Sequence, residues 1–333
     1  MFSINAKSFL KKKGFGFLVA IFISNGIYSQ NNWKNQNCST SEKLNSISFA
    51  DEKDGWVVGL NGVILHTGNG GKNWNIQSRG KFHGLNSVHF ENEKIGWAVG
   101  YNGEIVHTKT GGENWKSQSS NAPENFSSTL MAVQFVDKKT GWSLTEMGKI
   151  LHTKDGGKNW ENMGFLPRKK GEIIIFKSIH FLNKKVGWVV GNHGSVYHTK
   201  DGGKNWERQG FDVAVDIPSL HFINEKTGWI VIGYGEVWQT NDGGENWDKS
   251  KEYSKSYDDT KNNAGLNAID FVSDKHAWAV GNKGRIIYTD DRGKTWKSQN
   301  SNISKDLTSV EFVDKDTGWA VGKDGTILKH YKD

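Results

Sequence analysis

A Gly-Trp pair, Ala-Trp in one case, occurs seven times along the chain. Its tryptophans are Trp56, Trp97, Trp142, Trp188, Trp229, Trp278 and Trp319, spaced 41, 45, 46, 41, 49 and 41 residues apart. Around each pair the order of segments is constant. An alternating stretch such as Leu85-Asn86-Ser87-Val88-His89-Phe90 comes first, with counterparts from Leu44, Leu130, Phe176, Ile217, Leu266 and Leu307. A polar turn, a run such as Trp97-Ala98-Val99-Gly100, a tight turn at Tyr101-Asn102-Gly103 and a third run, Glu104 to Thr108, follow. A Gly-rich turn then leads into a fourth, polar run. Four short strands rich in β-branched and aromatic residues, separated by Gly and Asn turns, make one antiparallel sheet. A single such sheet has two faces to bury and cannot bury them alone; stacking copies radially solves this. Units of 41 to 49 residues are the size of propeller blades. The sequence therefore predicts an all-β fold: one seven-bladed β-propeller of four-stranded antiparallel blades.

The Gly-rich turn has its own pattern, Thr67-x-Asn69-x-Gly71-x-x-Trp74, repeated to Trp115, Trp160, Trp206, Trp247 and Trp296. Its third position is Asp155, Asp201, Asp242 and Asp291 in four units, and Asn69 and Thr110 in the other two. A carboxylate there can accept hydrogen bonds from turn N–H groups, the glycine permits positive φ, and the tryptophan folds back as an apolar anchor. These turns resemble the Asp-box (BNR) repeats of sialidase-type propellers.

Ring closure is a matter of counting. The shortest distance from a turn tryptophan to the next Gly-Trp is 23 residues, and 23 residues before Trp56 stands Trp33, in a segment resembling Asn114 to Gln118. The seventh unit ends at Asp333, where a seventh turn would begin. The N-terminal strand is thus expected to complete the last blade and hide its edge.

The combined pattern Gly-Trp-x-Val-Gly-x-x-Gly-x-Ile-x-x-Thr-x-Asp-Gly-Gly-x-Asn-Trp resembles the photosystem II stability and assembly factor propellers, across residues 31–333. The resemblance implies a non-enzymatic protein that holds a membrane-protein partner during assembly through an Arg-rich surface. Here the five arginines are scattered over five units among 38 lysines.

Lys11-Lys12-Lys13 followed by the apolar run Phe15 to Ile23 reads as a secretory signal, too short to span a membrane. The expected division is a signal peptide at 1–30 and the propeller at 31–333, leaving no integral membrane segment. Loss of the leader lowers the formal charge from +7 to +3, too little to suggest nucleic acid. Cys38 is the only cysteine, so no internal disulfide forms; it reads as a packed or partly exposed thiol without a lipid.

Histidines are the residue type that could ligate a metal here. His66, His107, His152 and His198 occupy one position in four units, and equivalent positions in a ring lie too far apart to share an ion. His89, His180 and His221 share the fifth position of the innermost strand with Ser48, Gln134, Asp270 and Glu311, which predicts a polar ring around the channel. No calcium-loop or phosphate-loop spacing is present, and the arginine set of a sialidase is missing, Arg292 lying within a turn on the wrong face. We expect no catalytic residue, metal or cofactor.

Three insertions, Lys116 to Thr129, Glu161 to Ile175 and Asp248 to Leu266, fall on the face opposite the Gly-rich turns, and insertions on one face mark a binding face. Arg168, Lys169, Lys170, Tyr101, Tyr234 and Arg285 are the candidate partner-binding rim. The expected function is exported binding or scaffolding of a protein partner at the cell envelope, by a monomer that is secreted, periplasmic or on the cell surface. A glycan ligand, suggested by Tyr101 and Tyr234, is the alternative, and glycoside hydrolysis a more distant one.

Overall fold

A computed structural model describes residues 32–119, 129–209, 211, 214–252 and 264–331. The segment read as a signal peptide lies outside these residues, as do most of the insertions after Lys116 and Asp248.

Seven antiparallel sheets follow one another around a central axis. Blade 1 is typical: Leu44–Phe49 lines the channel, followed outward by Gly55–Gly59, Ile64–Thr67 and Asn75–Ser78. Adjacent runs pair because the links between them are tight. Asn61 and Gly62 both have positive φ (54° and 63°), the backbone of a type I′ hairpin turn, whose twist matches that of its flanking strands.

The ring closes as the residue count requires. Trp33–Asn35 pairs antiparallel with Ile327–His330, Trp33 opposite His330. The last blade is therefore built from both ends of the chain, in the order Trp33–Asn35, Ile327–His330, Gly318–Gly322, Leu307–Phe312.

Aromatic stacking holds the blades to each other. All seven Gly-Trp tryptophans are fully buried. Each lies flat on a phenylalanine from the next blade's innermost strand, with centroids 3.5–3.8 Å apart, from Trp56 on Phe90 round to Trp319 on Phe49. The turn tryptophan of that next blade meets the same phenylalanine edge-on, as Trp115 meets Phe90 at 5.7 Å. In the last blade Trp33 takes this place against Phe312, also at 5.7 Å. Stacked and edge-on rings contribute beyond the area they bury. Trp74, Trp115, Trp160 and Trp296 are buried, while Trp206 and Trp247 are partly exposed.

Two details depart from the expected pattern. The innermost strand of blade 5 is Ser219–Phe222, shorter than the expected run from Ile217, because Pro218 has no N–H to give the ladder. Lys251–Glu252 adds a fifth strand, parallel to Thr295–Gln299, on the outer edge of blade 6.

Candidate functional site: the insertion face

The strand order gives the ring two unlike faces. On one lie the Gly-rich turns and the turns after the innermost strands, joined by bonds such as Gly111 N–H to Lys94 O at 2.9 Å. On the other lie the second-to-third strand turns and the connections between blades, joined by bonds such as Tyr101 N–H to Gly84 O at 2.9 Å.

Internal hydrogen bonds occupy the Gly-rich turns. The Asp155 carboxylate accepts from the Thr153 hydroxyl (3.0 Å) and from the Asn159 N–H (2.9 Å) and amide (2.7 Å). Asp201 and Asp242 do the same, and Asp291 uses Thr289 and Thr295. Burial works the other way, but together these bonds outweigh it and hold the four carboxyls below their usual range, Asp242 at about 2. Gly156 and Gly157 have φ of 75° and 81°, and a Cβ at Gly157 would run into the Gln118 amide of the preceding blade. The Gly156 carbonyl accepts the Trp97 indole N–H at 3.2 Å, so the turn also ties its blade to the one before.

The channel wall is similarly occupied. Ser48, Gln134, Asp270 and Glu311, at the fifth position of their innermost strands, accept from the main chain of the next blade. Phe90 N–H donates to Ser48 (3.1 Å), Phe312 N–H to Asp270 (2.8 Å), and Phe49 N–H to Glu311 (3.0 Å). His180 bonds the Phe222 carbonyl at 3.0 Å and lies 4.9 Å, ring to ring, from His221. Among the described residues no group of three or more metal-ligating side chains converges. The four outer histidines stack on the Gly-Trp tryptophans of their own blades, 4.6–5.0 Å between centroids.

The insertion face has a prominent feature in the Glu161 to Ile175 segment. Glu161–Phe165 is the outermost strand of blade 3, and the chain then crosses to blade 4. Leu166 and Ile174 are buried at either end of the crossing. Between them the Pro167 carbonyl accepts from the Tyr197 hydroxyl at 2.7 Å, and Glu172 accepts from Arg208 at 2.8 and 3.0 Å. That pair holds the Glu172 carboxyl below its usual range. The loop is thus pinned to two outer strands of blade 4 while Lys169 and Lys170 stay exposed and Arg168 partly so. Phe165 is 56% exposed and Ile173 68%. Arg168 and the Lys149 ammonium sit over the Phe165 ring at 5.7 and 5.4 Å, within the range of cation–π attraction.

Tyr101 and Tyr234 are exposed on the turns of blades 2 and 5. Arg285 is not part of this surface, and the expectation that it belongs to the rim is corrected. It is 3% exposed, and its guanidinium donates to the Gly235 and Ala264 carbonyls at 2.8 and 2.7 Å. The turn before it directs the side chain into the seam with blade 5, where these carbonyls bind it. Arg285 therefore holds the turn that displays Tyr234.

The family model described as photosynthesis system II assembly factor YCF48 matches residues 26–124, 121–218 and 248–331. The chain belongs to that family. Among solved structures, one described as "YCF48 bound to D1 peptide" is similar to it, with 21% identity, a TM-score of 0.73, and coverage of 91% of this chain and 98% of that one. YCF48 from Cyanidioschyzon merolae is similar at 22% identity and a TM-score of 0.72, covering 90% and 98%. The WD40 propeller domain of Doa1 follows at 10% identity and 0.69, covering 90% and 97%. At these identities the structural likeness establishes the fold. No curated protein sequence matches the chain.

Within this YCF48-family propeller, the sequence pointed to the basic triplet and to the apolar Ile173 that follows it, but missed the rest of its setting. Phe165 and the Glu172–Arg208 pair carry no motif. The available signal was that Phe165 ends a polar strand, where an apolar residue has no core to enter.

Proposed function

We propose that the chain is an exported, non-catalytic binding propeller that holds a protein partner on its insertion face. Family membership supports a scaffolding role, and the YCF48 structure described as bound to a D1 peptide supports a polypeptide ligand. The basic, then apolar, leader at 1–30 supports export, and with it a partner at the cell envelope. The observation that carries the reading is the pinned loop from Phe165 to Ile173. It presents two exposed apolar side chains beside Arg168, Lys169 and Lys170 on a backbone already fixed by Tyr197 and Arg208. Charge guides encounter and apolar contact holds the complex, and a fixed loop loses little entropy on binding. A glycan is the second reading, favoured by Tyr234 at 70% exposure, and a glycan array tests it.

The test of the first reading is capture from envelope extract with the wild type and with the variant carrying Arg168→Glu, Lys169→Glu and Lys170→Glu. We expect an unchanged melting temperature and a partner band that weakens, more so at low salt, since exposed charges are screened over about 8 Å at physiological ionic strength. Equal recovery of every partner by both proteins removes this loop from the binding face.

A further inference from the structure

Neighbouring blades meet through one repeated set of contacts, and the seam between blades 5 and 6 departs from it. At the other six seams the indole N–H of the Gly-Trp tryptophan has an acceptor. For Trp56, Trp97, Trp142, Trp188 and Trp319 it is a turn carbonyl of the next blade at 2.9–3.3 Å, and for Trp278 it is Gln299 at 3.2 Å. Trp229, buried against blade 6, has no acceptor among the described residues. Its ring is tilted 21° from that of Phe271, against 5–11° in the other six stacks. Two main-chain N–H groups reach back from blade 6, those of Ile269 and Phe271, and they meet Ser219 and His221 at 3.4 Å each. Their counterparts at other seams meet Ser46, Ser48, Ser87, Gln134, Asp270 and Glu311 at 2.6–3.2 Å.

Three residues account for this. The turn glycine whose carbonyl meets the tryptophan, as Gly111 or Gly156 does, is Arg292 in blade 6. Arg292 keeps the left-handed backbone, with φ of 69°, which a side chain disfavours, and its guanidinium is drawn to Asp274 at 2.8 Å. Its N–H reaches the Lys275 carbonyl at 3.2 Å, where Gly70, Gly111, Gly156, Gly202 and Gly243 make the same bond at 2.8–2.9 Å. Pro218 shortens the innermost strand of blade 5 to Ser219–Phe222. Ser250 stands where Gln77 of blade 1 donates to the Gly111 carbonyl of the next blade at 2.8 Å, and its shorter hydroxyl has no partner.

The same seam carries two ties found at no other seam among the described residues. Lys251–Glu252 leaves blade 5 and pairs with Thr295 and Trp296 on the outer edge of blade 6, Lys251 N–H donating to the Lys294 carbonyl at 3.1 Å. Arg285 crosses from blade 6 to the Gly235 and Ala264 carbonyls; its position is Val63, Glu104, Lys149, Ser195, Glu236 and Thr326 in the other blades. The middle of the seam is weak and its rims are tied.

We propose that the ring opens at this seam, with Lys251–Glu252 and Arg285 as the clasps that keep it shut. The blade built from both chain ends, the obvious place for a ring to part, keeps the regular stack and indole bond on each side, through Trp278 and Trp319. Because Arg285 holds the turn that carries Tyr234, release of that clasp also frees this turn on the insertion face. The opening is a property of the ring and stands apart from the protein-partner reading of the Arg168 loop.

Native-state hydrogen exchange of the full chain, followed residue by residue by NMR, tests this, because local opening governs the exchange of protected amides. The N–H groups of Ile269 and Phe271 are expected to exchange faster than those of Val88, Phe90, Val133, Phe312 and Phe49. Lys251→Pro removes the N–H that meets Lys294, and Arg285→Lys leaves one of two carbonyls without its donor. Each is expected to speed exchange at Ile269 and Phe271 about tenfold, the scale of losing one hydrogen bond, and to leave Phe49 and Phe312 unchanged. Arg292→Gly, which gives blade 6 the glycine of the other five turns, is expected to slow exchange at Ile269 and Phe271. Uniform protection at all these positions, fastest exchange at Phe49 or Phe312, or clasp variants that act on all seams alike overturns the proposal. Unchanged exchange in Arg292→Gly counts against it.

Discussion

Asp270 and Glu311 stand in neighbouring blades on the channel wall, each accepting a main-chain N–H from the next blade. Burial pushes the Asp270 carboxyl up to about 6; burial and the adjacent Asp270 push Glu311 well above its usual value. His221 offers Asp270 little relief. Its Nδ1 lies 3.5 Å away, but burial and His180 hold its pKa well below the usual value, so it stays neutral. A folded-state pKa above the unfolded one means the protonated acid is favoured by folding. The associated stability is complete below the unfolded carboxyl value of about 4 and is lost as the pH rises through about 6. Asparagine at 270 keeps an acceptor for Phe312 N–H and removes the charge. Asp270→Asn is therefore expected to stabilise the fold at pH 7.5 by about 1–3 kcal/mol and to have no effect near pH 4. Urea denaturation of both proteins at the two pH values measures this; a loss of stability at pH 7.5 means that the carboxylate is paired with an imidazolium after all.

The element that repeats is a three-ring stack: a tryptophan of one blade, a phenylalanine of the next and that blade's turn tryptophan. Trp142, buried between its own sheet and Phe181, is expected to cost about 3–5 kcal/mol when changed to Ala, as for other core tryptophans. Tyr101→Ala is expected to cost less than about 1 kcal/mol, as at ordinary surface sites. Chemical denaturation of the two variants compares them, and similar losses would mean that the faces are misassigned. The parts of these stacks were legible in the sequence because each is set locally, as the Gly-Trp pair, the phenylalanine ending each innermost strand, and the Thr and Gly of each turn. The division into two faces was legible for the same reason. That each tryptophan lies on the next blade's phenylalanine was not legible, because it depends on how the blades meet. The direction taken by Arg285 was not, because it depends on two carbonyls in another blade. Nor was the edge strand Lys251–Glu252, whose pairing depends on what blade 6 leaves open beside it.

For the molecule as a whole, the decisive contact is between the two ends of the described chain. Deleting residues 32–38 removes Trp33 and bares the edge of Ile327–His330, so the melting temperature is expected to fall and self-association to rise. Thermal melts and light scattering check this, and an unchanged monomer with an unchanged melt would mean that closure contributes nothing. Pairing Trp33 with His330 also sets a timetable. Synthesis proceeds at about 5–20 residues per second, so the first strand of the ring waits roughly 15–60 s for the one it must pair with. Six blades can form while it waits, each stacking on its predecessor, but both ends of the growing arc stay open. An interrupted chain is therefore left with a sticky edge at each end rather than a smaller closed ring. A circular permutant, its old ends joined and new ends placed between two blades, would move that wait to a different seam.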